Sequence, residues 1–264
     1  TQPPLPTSNI SILPPGESAV ITPTVENTSQ INPAEELITN GKALFDNKDM
    51  PGALQMFNQA ITTNPNSAEA YYYRGRIYVE QGDLANAIID LNKAILINAN
   101  YAEAFNVRGI AFLENGQYDQ ALADFNAAIG LKPDFSNAYN NRAITYLHKG
   151  DIQKALEDAN KAITLAPQNG DTYLTRGQIY VKMQDLDSAI SDFNKAIELN
   201  PNNAKAYFNR SLVYASLGKM TEALSDITQS ISLSPDQAIY YLYRGQMYLQ
   251  NNDNQNATAD FRKV

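Results

Sequence analysis

The 264-residue sequence has no cysteine, no tryptophan and a single histidine, His148. Without cysteine there is no disulfide, no thiolate metal site and no cysteine nucleophile, and the redox compartment cannot be inferred. One histidine is too few for a metal cluster or a histidine-based proton relay. Glycines occur singly, so no glycine-rich phosphate-binding loop is present. We therefore expect no catalytic residues, no metal, no cofactor and no enzymatic activity.

Basic residues and long apolar runs are also scarce. Lysine and arginine total 20 against 28 acidic residues, which gives a formal net charge of -8 and a pI near 4.7. A nucleic-acid partner requires a basic face that releases counterions, so we expect no nucleic acid. No apolar run is long enough to span a bilayer and no signal peptide is evident, so we expect no direct membrane insertion.

The compartment stays open between the cytoplasm and export. Asparagine and glutamine are abundant, and the first residue, Thr1, is not methionine. Both features are compatible with a bacterial exported protein, periplasmic and lipid-anchored upstream of Thr1.

What the sequence does contain is a repeat. Residues 1–33 are rich in proline, serine and threonine without helical periodicity, which is typical of an extended or disordered leader. Residues 34–264 can be superimposed on themselves at an offset of 34 residues, which predicts a repeat domain. Six segments are complete and the seventh is cut short. The segments start at Ala34, Ala68, Ala102, Ser136, Gly170, Ala204 and Ala238.

Each segment reads as two helices joined by a turn. A small residue at the eighth position has large residues four before and three after it, a spacing that places all three on one helix face. The small residues are Gly41, Gly75, Gly109, Ala143, Gly177, Ser211 and Gly245. A residue in the left-handed backbone conformation can end this first helix. The candidates are Gly82, Gly116, Gly150 and Gly218, with Lys48, Gln184 and Asn252 in the other segments. An alanine marks the second helix in all seven segments, and a proline closes five of the six complete ones.

This pattern of large residue, glycine, tyrosine, alanine, phenylalanine and proline at fixed positions resembles the tetratricopeptide repeat (TPR) family. Two departures are that tyrosine or phenylalanine stands for tryptophan, and arginine for the leucine before the glycine. The resemblance implies an all-α fold, a right-handed superhelical solenoid of antiparallel helix pairs whose first helices line a concave groove. It also implies a protein-interaction scaffold.

An arginine and an aspartate recur once per segment from the second segment onward. The pairs are Arg74 and Asp90, Arg108 and Asp124, Arg142 and Asp158, Arg176 and Asp192, Arg210 and Asp226, and Arg244 and Asp260. The first segment lacks both, with Asn40 and Met56 in their places. Because the two residues are present together and absent together, we predict partly buried ion pairs within each repeat, with the arginine stem between aromatic rings. A ladder that grips an acidic partner is the less favoured interpretation.

Family geometry implies that the second, fifth, ninth and thirteenth residues of each repeat face the groove. The predicted groove residues are Tyr72, Arg76, Asn106, Asn140, Asn141, Leu174, Lys182, Phe208, Leu212 and Leu242. Asparagine amides suit an extended peptide, since each can both donate and accept. Phe208 and Leu242 are expected to be exposed in a row and to anchor apolar side chains. We therefore expect a protein or peptide partner, basic or polar toward repeats 1–3 and apolar toward repeats 5–7.

Three further hypotheses concern what the repeats and the leader could bind. The family's clamp for a two-carboxylate chaperone tail is incomplete here, because the repeats around Asn141 and Asn209 do not supply its other residues. Self-assembly is the alternative to a scaffold for other proteins: an uncovered repeat 7 would form a homo-oligomer. The apolar parts of the leader could also make oligomer contacts, cover an edge or lie in the groove.

Overall fold

The computed structural model describes residues 32–264, so the predicted leader lies outside the described residues except for its last two positions. The described chain is all-α, with fourteen helices and no strand. The first helix starts at Pro33, one residue before the predicted boundary, where a proline suits the first turn because its missing N–H is not needed.

The helices form seven pairs, here called repeats 1–7. They are α1 (Pro33–Asp46) and α2 (Met50–Thr63), α3 (Ala68–Glu80) and α4 (Leu84–Ile97), α5 (Ala102–Glu114) and α6 (Tyr118–Leu131), α7 (Ser136–Lys149) and α8 (Ile152–Leu165), α9 (Gly170–Lys182) and α10 (Leu186–Leu199), α11 (Ala204–Ser216) and α12 (Met220–Leu233), and α13 (Ala238–Gln250) and α14 (Asn254–Phe261). Each helix packs on its pair partner and on the next helix in the chain, and consecutive first helices from α1 to α11 touch. The result is a solenoid in which neighbouring repeats supply the core.

The turns within the repeats follow the expected backbone geometry. All seven predicted positions have positive φ, including the non-glycine residues Lys48 (65°), Gln184 (64°) and Asn252 (59°). In five repeats an aspartate directly before the second helix accepts a hydrogen bond from a backbone amide of its first turn. The turn prediction is therefore confirmed.

The two helices of a repeat approach closely at the small eighth position. A methyl group placed on Gly109 would lie 2.6 Å from the ring of Phe125, which is fully buried. The same contact is made in the other repeats that pair glycine with phenylalanine or leucine. In repeat 4 the pair is instead Ala143 and Ala159. A larger residue on one helix is thus matched by a smaller one on the other, as close packing requires.

The predicted arginine–aspartate pairs are in contact in all six repeats. Arg74 Nε and Nη2 donate to the two carboxylate oxygens of Asp90 at 2.6 and 2.7 Å, and the other five pairs repeat this bidentate geometry. Asp90 is buried, and the Arg74 guanidinium lies 5.6 Å from the Tyr71 ring. The hydrogen bond to Asp90 raises the pKa of Arg74, so the arginine remains charged.

The same arginines also join neighbouring repeats. Arg74 Nη1 donates to Asn58 Oδ1 of the preceding repeat at 2.7 Å. Four further arginines repeat this bond to Asn92, Asn126, Asn160 and Asn194 at 2.5–2.8 Å. In repeat 7, Arg244 reaches Thr228 at 3.3 Å. Each guanidinium therefore holds its own helix pair together and ties that pair to the one before it.

Candidate functional site

Three cavities open along the first helices. The central cavity, about 540 Å³, lies between α3, α5, α7 and the start of α9. The lysine cavity, about 450 Å³, lies between α7, α9 and α11 and contains Lys182, His148 and Asn209. The C-terminal notch, about 210 Å³, lies between α11 and α13 and is lined by Leu212 and Met247. The first helices therefore present polar cavities in repeats 2–6 and a smaller, more apolar one between repeats 6 and 7.

Asparagine side chains form one wall of the central cavity. Asn141 Nδ2 donates to Asn106 Oδ1 at 3.0 Å, which joins α7 to α5. Asn169 Nδ2 donates to Asn137 Oδ1 at 3.4 Å. Asn140 is 8% exposed, and its Oδ1 has no hydrogen-bond donor among the described residues. The wall thus contains one buried acceptor that the folded chain leaves unpaired.

The opposite wall is aromatic and carries Arg76. Its guanidinium lies 4.6 Å from the centre of the Phe45 ring and 5.6 Å from that of Tyr72. Tyr72 packs in turn on Tyr101, at 4.8 Å between ring centres. Burial raises the pKa of both tyrosines, so they are neutral at physiological pH. Arg76 is held by stacking on aromatic faces.

Carboxylates complete the lining. Glu80, Glu103 and Asp171 all reach the central cavity. Glu103 accepts a hydrogen bond from Lys132 at 3.1 Å, and both of these side chains are at least 40% exposed. Asp171 accepts from the Asn203 amide at 3.3 Å. The central cavity therefore carries three negative charges against the single positive charge of Arg76.

The expectation of an exposed apolar row at the C-terminal end is wrong. Phe208 is only partly exposed, because its ring packs on Tyr240 at 4.7 Å and on Tyr243 at 5.4 Å. Leu174 is 9% exposed and belongs to a core cluster. Leu242 is partly buried and lines none of the three cavities.

The physical reason is the direction in which the fifth position of the repeat points. In repeats 2–5 this position is Tyr72, Asn106, Asn140 and Leu174, and each is at most 9% exposed. Side chains there are covered by the neighbouring first helix. Tyr72, Asn106 and Asn140 therefore form the floor of the central cavity, whereas Leu174 lies in the core, and none of the four is a free surface.

The structure places the other predicted groove residues in different cavities. Tyr72, Arg76, Asn106, Asn140 and Asn141 come together in the central cavity. The exposed Lys182 lines the lysine cavity, and Leu212 lines the C-terminal notch.

Residue-based reasoning missed Phe135, Asn169 and Asp171, which also line the central cavity. Asp171 occupies the second position of repeat 5, a position assigned to the groove, so the signal for it was present. Phe135 and Asn169 immediately precede α7 and α9, and no rule for the first helices covers them.

The described part of the chain contains neither a metal-binding cluster nor a membrane-spanning helix. No group of three or more His, Asp or Glu residues in it could hold a metal ion. None of its helices combines the length and apolar character needed to cross a membrane.

Family models match most of the repeat region. Residues 38–103 and 106–170 match a tetratricopeptide repeat model, residues 177–218 a TPR repeat model, and residues 204–237 another tetratricopeptide repeat model. The chain belongs to the TPR family. TPR proteins are generally non-enzymatic scaffolds that bind proteins or peptides.

Solved structures give the same fold. A TPR protein from Parabacteroides merdae is 24% identical, with a TM-score of 0.69 over 87% of this chain and 91% of that one. The Cut9-Hcn1 hetero-tetramer of the APC/C is 18% identical with a TM-score of 0.77 over 82% of this chain, which spans only 43% of that chain. YrrB, described as a TPR protein with an unusual peptide-binding site, is 20% identical with a TM-score of 0.51 over 74% of this chain and 97% of that one. No curated protein matches the sequence.

Proposed function

We propose that this TPR chain is a non-enzymatic scaffold that binds an extended segment of a partner protein along its first helices. The observation that carries the proposal is the central cavity, whose wall is built from the side chains of four successive repeats. A volume of about 540 Å³ is within the range of sites that enclose ligands. A cavity that crosses four repeats is elongated along the solenoid, which suits an extended chain.

The asparagine wall supports a peptide as the occupant. Each side-chain amide can donate and accept hydrogen bonds. Within the described chain, Asn106 and Asn137 use only the oxygen, and Asn141 uses only the nitrogen. The unused halves can pair with the N–H and C=O groups of a peptide backbone. The C-terminal notch, with Leu212 and Met247, offers a place for an apolar side chain of the same segment. We propose no nucleic-acid partner, in keeping with the net charge of -8.

The test is a selection of displayed random peptides on the purified chain. Recovered peptides are measured against Asn137→Ala/Asn141→Ala, two changes that line the central cavity without lying in the buried core. The matched control is Asn40→Ala/Asn66→Ala, where both residues are exposed and lie outside the three cavities. We expect loss of binding in the first variant only. Recovery of no peptide, or equal binding by both variants, would refute the proposal.

Self-association through repeat 7 is a second candidate function. Phe261 is 38% exposed, whereas Phe57, Phe125 and Phe193 at the same position are fully buried. Leu249 in the same repeat is also exposed. A second copy could cover these side chains. Light scattering over a range of protein concentrations tests this: a constant monomeric mass would exclude it.

A further inference from the structure

The unpaired oxygen of Asn140 indicates what the central cavity accepts. A buried acceptor without a donor is costly, and folded proteins retain few of them. Only two such side-chain atoms occur among residues 32–264, Asn140 Oδ1 and Thr172 Oγ1, and Thr172 does not line the central cavity. The other asparagines of the wall are joined in pairs. Oδ1 has almost no accessible surface, so a ligand in the cavity that Asn140 lines can supply the missing donor once the side chain turns toward it.

The charges around Asn140 indicate the kind of donor. No lysine or arginine in the described chain lies within ion-pair distance of Glu80 or Asp171. Lys132, the partner of Glu103, is outside the lining and 45% exposed, with its ammonium 5.0 Å from the centre of the Phe135 ring at the cavity edge. Arg76 is the one cation of the lining, and its guanidinium faces aromatic rings. A recessed site with excess carboxylates concentrates negative potential and attracts a cation.

We propose that the central cavity binds a lysine or arginine side chain of the partner segment, which donates to Asn140 Oδ1 within the negative potential of Glu103 and Asp171, at the starts of α5 and α9, and of Glu80, at the end of α3. This inference rests on the proposed function and adds the chemistry of the ligand. Val79, Val107 and Ile110 also line the cavity, and they suit the methylene stem of such a side chain. A neutral backbone N–H would satisfy Asn140 but would leave the carboxylates uncompensated. An acidic side chain would meet three like charges.

The first experiment uses the peptides selected on the wild-type chain. We expect lysine or arginine to be enriched at one position of those peptides. Replacing that residue with norleucine in a synthetic peptide, which keeps the stem and removes the charge, should weaken binding about tenfold or more. The loss should shrink as NaCl is raised, because salt screens the carboxylates.

Matched variants locate the effect. Glu80→Gln/Glu103→Gln/Asp171→Asn should remove most of the preference for the cationic peptide over its norleucine form. Glu157→Gln/Asp187→Asn/Glu222→Gln makes the same change of charge at exposed positions outside the three cavities and should keep that preference. Asn140→Leu should also remove it, with a melting temperature equal to or above that of the wild type, because an unpaired polar group is lost. A purely structural role for Asn140 would instead lower the melting temperature and keep the preference.

The outcomes separate this inference from the proposed function. Peptides that require Asn137 and Asn141 but show no enrichment of lysine or arginine would overturn the cation site and leave the peptide groove standing. Equal affinity of the cationic and norleucine peptides would do the same. Failure to recover any peptide that depends on the central cavity would overturn both.

Discussion

The close approach of Gly109 to Phe125 gives a quantitative test of how each helix pair is packed. A methyl group on Gly109 would lie 2.6 Å from the ring edge of Phe125, nearer than carbon atoms normally come. Phe125 is fully buried and cannot swing out into solvent. Overpacking of this kind costs about 1–3 kcal/mol. Replacing glycine by alanine inside a helix stabilises the helix by about 1 kcal/mol. We expect Gly109→Ala to lower the free energy of unfolding by about 1 kcal/mol.

The sign should reverse when the ring is removed. Phe125→Ala alone leaves a cavity and should cost about 3–5 kcal/mol. In that background the methyl group of Gly109→Ala meets no ring, so only the gain in helix propensity remains, and the second change should stabilise by about 1 kcal/mol. The coupling between the two positions is then about 2 kcal/mol, within the range for residues in contact. Repeat 4 already has this combination, Ala143 with Ala159.

Urea denaturation of the wild type, both single variants and the double variant, followed by far-UV circular dichroism, measures the cycle. The curves should be fitted with a nearest-neighbour model, because a repeat array need not unfold in one step. Ala143→Gly serves as a control, since it removes helix propensity without relieving a clash and should cost about 1 kcal/mol. If Gly109→Ala has the same effect with and without the Phe125 ring, the packing argument is refuted.

The remaining predictions concern the ion pairs, the bonds between repeats and the tyrosines. Asp158→Ala leaves the partly buried Arg142 guanidinium without its carboxylate, so we expect urea denaturation to show a loss of about 3 kcal/mol; an unchanged midpoint would mean that the pair contributes nothing. Asn126→Ala removes the hydrogen bond from Arg142 of repeat 4 to repeat 3 and should cost about 1 kcal/mol, with faster amide hydrogen exchange at that boundary; unchanged exchange would contradict the coupling. Burial raises the pKa of Tyr101, so the folded chain keeps a proton that the unfolded chain loses near pH 10. The stability that this proton provides is complete below about pH 10 and falls above it, by about 1.4 kcal/mol per pH unit. In Tyr101→Phe, the free energy of unfolding measured by denaturation should fall less steeply with pH. An equal slope in the two proteins would refute the raised pKa of Tyr101.

The helix pairs, their turns and the ion-pair partners could be predicted because each depends on spacing within one repeat. The period of 34 residues placed the helices, and the position after the first helix indicated left-handed residues even where Gln184 replaces glycine. The joint loss of arginine and aspartate at Asn40 and Met56 indicated which residues pair. Information of this kind is local and is repeated several times in the chain.

The hydrogen bonds between repeats were missed although their signal is in the sequence. Asn58, Asn92, Asn126, Asn160 and Asn194 recur at the same period directly after the phenylalanine position. A bidentate aspartate uses only part of the donor capacity of an arginine, which has five N–H groups. A count of the donors left over would have called for a further acceptor near each guanidinium. The sequence therefore allowed this prediction once hydrogen-bond capacity was considered.

The exposure of the groove residues could not be predicted in the same way. Whether Phe208 faces solvent or packs on Tyr240 depends on how closely two first helices approach and on the angle between repeats. That geometry arises from many side chains across the interface, and the repeat period does not contain it. The repeat period therefore predicted which residues lie near the groove better than it predicted how exposed each of them is.

The contrast between constant and varied positions explains how one fold separates stability from recognition. The arginine and aspartate positions do not change from repeat 2 to repeat 7, and their side chains bind each other. The fifth position changes at nearly every repeat, and in repeats 2–5 its side chain is buried. Because it is covered by a neighbouring helix, a polar residue there is costly unless something pairs with it. Asn106 is paired by Asn141, whereas Asn140 has no donor from the described chain. The cost is concentrated at one position of one cavity, which is where a ligand would gain the most by supplying the missing hydrogen bond.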